Sequence, residues 1–170
     1  SLLKDKTAIH LSDLHIKKIG RREKKLLFLI EQLRPDFIFL TGDYITWKGH
    51  NKAALSLLKK LKAQIGTWAV MGDYDYSNSM QSCYFCHKKN SGDKTTAHQI
   101  NFLKNNVSKI SLPDGDIAIA GIDHEDNSAF IQQLSQNNRS IPLIVLAHNP
   151  MLFDRINAQE PLLILSGDTH

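Results

Sequence analysis

Short apolar runs recur along this 170-residue chain, and each one stops at polar residues. Thr7–Leu11, Phe37–Leu40, Thr67–Met71, Asp116–Ile122, Leu143–Leu146 and Leu162–Leu165 predict strands. Little polar alternation interrupts the first, so it reads as buried on both faces. Helical periodicity fills the gaps. Leu26, Leu29, Ile30 and Leu33 recur at the α-helical period over Arg21–Arg34, and Pro35 ends that pattern. Leu55, Leu58 and Leu61 lie on one stripe of a second helix over Lys52–Leu61, and Gly66 precedes the next strand. Thr96-Ala97-His98-Gln99 fits a capping box and predicts a third helix through about Asn105. Short helices are expected from Ser128 to about Gln136 and over Met151–Asn157. Strands alternating with helices predict an α/β fold, its sheet largely parallel or mixed and flanked by helices. No repeat or second domain emerges. Residues 1–170 are expected to form one domain, with a polar insert at about 77–95.

The residues at which the apolar runs stop carry the chemistry. They are Asp13-Leu14-His15, Thr41-Gly42-Asp43, Gly72-Asp73-Tyr74-Asp75, Ala147-His148-Asn149-Pro150 and Ser166-Gly167-Asp168-Thr169-His170. In open α/β folds ligands bind beyond the carboxyl ends of the strands, and all five clusters fall at that edge. If the segment after the first strand is extended, Asp13 and His15 point to the same side and converge. A lone Asp-x-His is more often a surface loop; five such clusters predict a metal site. His148, before Asn149-Pro150, can cap a turn, but its apolar lead-in favours a ligand role. His10 alternates with apolar neighbours and reads as a core histidine or one that supports a ligand.

Composition adds bounds. With 42% hydrophobic and 22% charged residues the chain is globular. The net charge of +4 gathers in Lys17, Lys18, Arg21, Arg22, Lys24 and Lys25. Such a cluster can attract nucleic acid, a membrane or an anionic substrate; a solvated helix face is the plainer reading. No aromatic stacking array accompanies it, so nucleic acid is not the expected partner. No run approaches the ~18 apolar residues of a membrane span. The chain starts at Ser1 and ends at His170 in a strand-end loop. We therefore expect a missing N-terminal segment that gives membrane association, and a continuation that supplies C-terminal strands. A membrane-associated or periplasmic location is favoured over a cytoplasmic one. Both cysteines lie in Cys83-Tyr84-Phe85-Cys86-His87. C-x-x-C-H is the attachment pattern of a c-type haem, and the same residues can instead form a disulfide or half a zinc site.

The order D-x-H, G-D, G-N/D-x-D, A-H-N-P and G-x-T-H resembles the calcineurin-like metallophosphoesterases, from Asp13 to His170. Ile122-Asp123 after a strand is similar to a segment of that family's membrane-associated bacterial branch. The resemblance implies a layered fold and two adjacent divalent metals, Mn, Fe or Zn, with Mg as a harder alternative. It also implies hydrolysis of a small phosphodiester or related ester by a hydroxide formed from metal-bound water. Asp13, His15 and His170 would hold the first metal and Asp43 would bridge. Asp73, His148 and Asp168 would complete the second. Two departures stand out. Where the family has G-N-H-D/E, this chain has Gly72-Asp73-Tyr74-Asp75; where the family has G-H-x-H, it has Gly167-Asp168-Thr169-His170. Tyr74 then stands where a histidine would protonate the leaving group, and Asp75 behind it would hold a ligand in place. Asp13, Asp43, Asp73 and Asp168 bring enough negative charge to neutralise two divalent ions, which disfavours a phosphate dianion and weakens catalysis. The rival expectation is a catalytically weak or inactive module of this type with a redox or sensing haem on Cys83, Cys86 and His87.

Overall fold

The computed structural model describes residues 3–46, 51–76, 98–124, 127–136, 141–156 and 162–168. Their strands form two four-stranded sheets. In the first, β1 (Ala8–Leu11), β2 (Phe37–Leu40), β3 (Gly66–Ala69) and β4 (Ile100–Phe102) run parallel in that order. In the second, β5 (Asn106–Leu112) is antiparallel to β6 (Gly115–Ile122). Parallel to β6 follow β7 (Leu143–Ala147) and β8 (Leu162–Ser166). Three helices accompany them: α1 (Arg21–Leu33), α2 (Asn51–Leu58) and α3 (Ser128–Gln136).

The two-residue period of the strands sorts their side chains into layers. Phe37 and Phe39 of β2 meet Trp68 of β3, Ile117 and Ile119 of β6, and Ile144 and Leu146 of β7 in a core between the sheets. Ile38 and Leu40 point the other way, onto Ile30 of α1 and Ala54, Leu57 and Leu58 of α2. Ala118, Ala120 and Val145 cover the far face of the second sheet together with Phe130, Ile131 and Leu134 of α3. The layers are helix, sheet, sheet, helix. Phe37-Ile38-Phe39-Leu40 is apolar throughout because both of its faces are covered, and all four residues are buried. Each such side chain contributes about 1.5–3 kcal/mol.

Local signals close α1 at both ends. The Glu23 carboxylate accepts the Gly20 N–H at 2.8 Å, and Arg34 adopts a left-handed conformation (φ 44°) just before Pro35.

Several expectations change. β1 is not buried on both faces: among the described residues it pairs only with β2, leaving Ala8 and His10 exposed. The helix expected from residue 96 to about 105 is instead β4, at least over Ile100–Phe102. Ile100 and Phe102 bury while Asn101 is exposed, and parallel pairing to β3 overrides the capping-box signal. β5 went unpredicted. Its alternation over Asn106–Leu112 is mostly exposed, as suits an edge strand. α2 ends at Leu58 rather than Leu61, and the expected helix after Pro150 is a 3-10 turn over Pro150–Arg155. The polar insert with Cys83, Cys86 and His87 lies outside the described residues, as does His170.

Candidate metal centre

Loops following β1, β2, β3 and β7 meet at one end of the sheets. There one ligand atom each from Asp13, Asp43 and His148 lies within 4.8 Å of the others. Asp43 sits in the middle. Its Oδ2 is 3.6 Å from His15 Nε2 and its Oδ1 is 3.5 Å from His148 Nε2. His148 Nε2 also lies 3.6 Å from Asp73 Oδ1. From the loop after β8, the backbone N–H of Asp168 donates to both Asp13 carboxylate oxygens at 3.2 Å.

Asp13 and His15 do not converge as an extended segment would bring them together. Both are left-handed, with φ of 52° and 41°. Their loop leaves the strand and runs along the next one: the N–H groups of Asp13, His15 and Ile16 donate to the carbonyls of Gly42, Asp43 and Tyr44 at 3.1, 2.9 and 2.8 Å. Asp43 (φ 58°) and Asp168 (φ 51°) are left-handed too. Two glycines make room. A Cβ on Gly72 would lie 2.0 Å from Asp43 Oδ1, and one on Gly42 (φ 99°) would lie 2.5 Å from the Gly72 nitrogen.

Asp75 holds this loop from behind. Its fully buried carboxylate accepts N–H bonds from Asp43 (2.7 Å) and Gly72 (3.0 Å) on one oxygen, and from Tyr44 (2.8 Å) and Ile45 (3.2 Å) on the other. Burial pushes its pKa up to about 7, helped by the Asp43 charge and opposed by the backbone donors. Burial likewise raises Asp43 to about 6, with Asp73 adding to the rise and His148, the Tyr74 N–H and His15 opposing it.

Both histidines are oriented from behind. His148 Nδ1 lies 2.7 Å from the Thr41 carbonyl and His15 Nδ1 lies 3.1 Å from that of Ile45. A carbonyl can only accept, so each Nδ1 carries a proton, and in the neutral ring that leaves Nε2 as the ligating nitrogen. His148 Nε2 is buried and has no hydrogen-bond partner among the described residues. A lone pair aimed at carboxylate oxygens is unfavourable without a cation between them, so the donor set fits a divalent metal. His10 is a supporting residue: its ring tip reaches inward, with Nε2 2.8 Å from the Thr41 hydroxyl, and the partial desolvation of that otherwise exposed side chain lowers its pKa against the pull of Asp13.

Asn149, not His148, caps the following turn, its Oδ1 accepting from Met151 N–H at 2.8 Å. Asp73 is half exposed at the rim. Tyr74 is 39% exposed, its ring edge-on to His15 at 5.1 Å, and its N–H donates to Asp43 Oδ1 at 3.3 Å. Sequence reasoning missed the carbonyls of Thr41 and Ile45, which leave no side-chain signal. It also missed the packing of Gly167, where a Cβ would lie 2.8 Å from His148 Nδ1. Among the described residues no helix is long and apolar enough to cross a membrane.

The fold has a solved counterpart in the NAD nucleotidase of Haemophilus influenzae, at a TM-score of 0.65 and 15% identity, covering 97% of this chain and 38% of that one. Two relatives come from Bacillus subtilis (strain 168). The uncharacterized metallophosphoesterase YkuE is 29% identical over 171 residues, covering 95% of this chain and 57% of its own length. The uncharacterized metallophosphoesterase YkoQ is 30% identical over 166 residues, covering 95% and 60%. The chain thus spans less than two thirds of either relative. The calcineurin-like phosphoesterase family model matches residues 6–170. With that match across nearly its whole length, the chain belongs to the calcineurin-like phosphoesterases, a metal-dependent family acting on phosphate esters.

Proposed function

We propose that this protein is a binuclear metal-dependent hydrolase that prefers phosphodiester monoanions to monoester dianions. The observation that carries the reading is Asp43, whose two carboxylate oxygens face a different histidine each, His15 at 3.6 Å and His148 at 3.5 Å. That arrangement suits a bridging carboxylate, with Asp13, His15 and His170 on one side and Asp73, His148 and Asp168 on the other. Two divalent ions, Mn foremost given the oxygen-rich donor set, would supply Lewis acidity and water activated near neutral pH.

The chain's own groups do the rest. Asp75 and the Thr41 and Ile45 carbonyls fix Asp43, His148 and His15, so little reorganisation is left for the reaction. Asp13, Asp43, Asp73 and Asp168 balance the charge of two divalent ions. The loaded site is then near neutral, and it attracts a dianion less than a cationic site would. Tyr74, exposed at the rim beside His15, would pass its phenolic proton to the leaving-group oxygen. A phenol releases its proton less readily than an imidazolium, so good leaving groups should turn over best.

Metal analysis of purified protein, followed by kinetics with Mn on bis(p-nitrophenyl) phosphate and p-nitrophenyl phosphate, tests the proposal. About two equivalents of metal and faster diester hydrolysis are expected. Equal rates on the two substrates would refute the diester preference.

A further inference from the structure

The outward face of α1 mixes apolar and cationic side chains. Three of its apolar side chains are exposed: Phe28 at 58%, Leu29 at 44% and Leu33 at 57%. Leu29 and Leu33 border the stripe that packs on the sheet, where Glu23 and Ile30 are buried and Leu26 and Leu27 half-buried, while Phe28 lies away from it. On the helical wheel Arg21, Lys25, Phe28 and Gln32 share the outward row, flanked by Arg22, Leu29 and Leu33. Lys17 and Lys18, shortly before the helix, are exposed as well, and Lys24 is exposed on the side opposite Leu33. Of the two acidic residues in the helix, Glu23 is buried and already paired with Arg22 at 2.8 Å. The exposed one, Glu31, lies one turn from Phe28 on the side of Lys24, away from Leu29 and Leu33. On the side of Leu29 and Leu33, apolar side chains alternate with Arg21, Arg22 and Lys25 and no described carboxylate lies among them, which suits neither water nor an ordinary protein partner of mixed charge.

We propose that this face of α1 docks on an anionic lipid bilayer. Phe28, Leu29 and Leu33 would enter the headgroup–acyl boundary while Lys17, Lys18, Arg21 and Lys25 sit among the lipid phosphates. Both contributions act on one surface: apolar burial holds the helix in place, and charge selects anionic over zwitterionic lipid. Arg22 also donates from Nη2 to the Leu14 carbonyl at 2.5 Å, which ties the helix to the loop of Asp13 and His15. The docking does not depend on the proposed reaction, because no residue of this face is assigned to the metal centre.

Co-sedimentation of the protein with vesicles tests it. One set is pure phosphatidylcholine and the other is phosphatidylcholine and phosphatidylglycerol in equal parts. Binding to the mixed vesicles only, weakened by added salt, is expected. Arg21→Ala with Lys25→Ala should lower that partition about 25-fold, at about fivefold per cation. Phe28→Ala with Leu33→Ala should lower it at least about tenfold. All four positions are exposed, so thermal melts should match the wild type. The proposal is overturned by absent binding, by equal binding to both vesicles, or by variants that bind as the wild type does. It is also overturned if the protein self-associates and the Phe28/Leu33 variant abolishes that, since the face would then belong to a second copy.

Discussion

Stripping the metal should make the protein less stable as the pH rises from acid to neutral, the reverse of ordinary acid denaturation. The cause lies in Asp43 and Asp75, buried side chains whose pKa values are raised from 3.8 to about 6 and about 7. An acid that holds its proton more tightly folded than unfolded stabilises the fold in full below its unfolded pKa. That stability is lost as the pH rises through the folded pKa. Here the window runs from about pH 4 to just above pH 7. At about 1.4 kcal/mol per pK unit, Asp43 alone accounts for about 3 kcal/mol and Asp75 alone for about 4 kcal/mol. Part of the rise at Asp75 comes from the Asp43 charge, so the pair should deliver less than the sum, on the order of 4–6 kcal/mol. His10, lowered by partial desolvation, works in the opposite direction.

Against a typical total stability of 5–15 kcal/mol, a loss of that size is large. Urea unfolding in EDTA at about pH 5 and about pH 8 should show the midpoint falling by about 2 M, for a slope near 2 kcal/mol/M. Added Mn should recover most of the loss at the higher pH, where the cation no longer competes with the proton for Asp43. Asp75→Asn removes one of the two titrations, so its metal-free stability should depend visibly less on pH. The reasoning fails if the metal-free wild type is equally or more stable at the higher pH.

Other substitutions probe single contacts. Gly72→Ala puts a Cβ 2.0 Å from Asp43 Oδ1 and 2.7 Å from the Asp43 nitrogen; calorimetric titration with Mn should show affinity reduced at least about tenfold, as when a ligand's support is lost. Tyr74→Phe should slow hydrolysis of alkyl diesters by about 10²-fold or more while sparing nitrophenyl diesters, which need no proton donor; equal losses on both would remove Tyr74 from proton transfer. Phe39→Ala, between the sheets and 1% exposed, should cost about 3–5 kcal/mol in denaturant melts without changing the metal stoichiometry.

The strands and their edge were legible because apolar runs ending in Asp or His leave a mark in sequence. Phe37-Ile38-Phe39-Leu40 before Asp43 is the clearest case. Three things were not legible. The count of sheets depends on whether Phe39 faces a helix or Ile119, and the apolar pattern reads the same either way. β4 was mistaken for a helix because a capping box is a local signal and pairing to Thr67–Ala69 is not. The supports of the two histidines are backbone carbonyls, which every residue possesses.

The way the ligands converge was also misread, and the correction explains the residue types. The extended geometry expected for Asp13-Leu14-His15 would make the two side chains converge by pointing both to one side of a continuing strand. Instead Asp13, His15, Asp43 and Asp168 are left-handed, four of the seven non-glycine residues with positive φ among those described. Left-handed backbone turns the chain back at the sheet edge, so successive loops can aim at one point. Asp, Asn and His tolerate that conformation better than other non-glycine residues. Glutamate would ligate a metal equally well but is not among the residues enriched there. The absence of glutamate from all five strand-end clusters therefore has a backbone reason besides a chemical one. The energy stored in those turns is of order 1–3 kcal/mol each. The backbone bonds donated to Gly42, Asp43, Tyr44 and the Asp75 carboxylate are what offset it. A ligand loop held under strain by hydrogen bonds is rigid before any ion arrives, which is what a site that must position two charges at once requires.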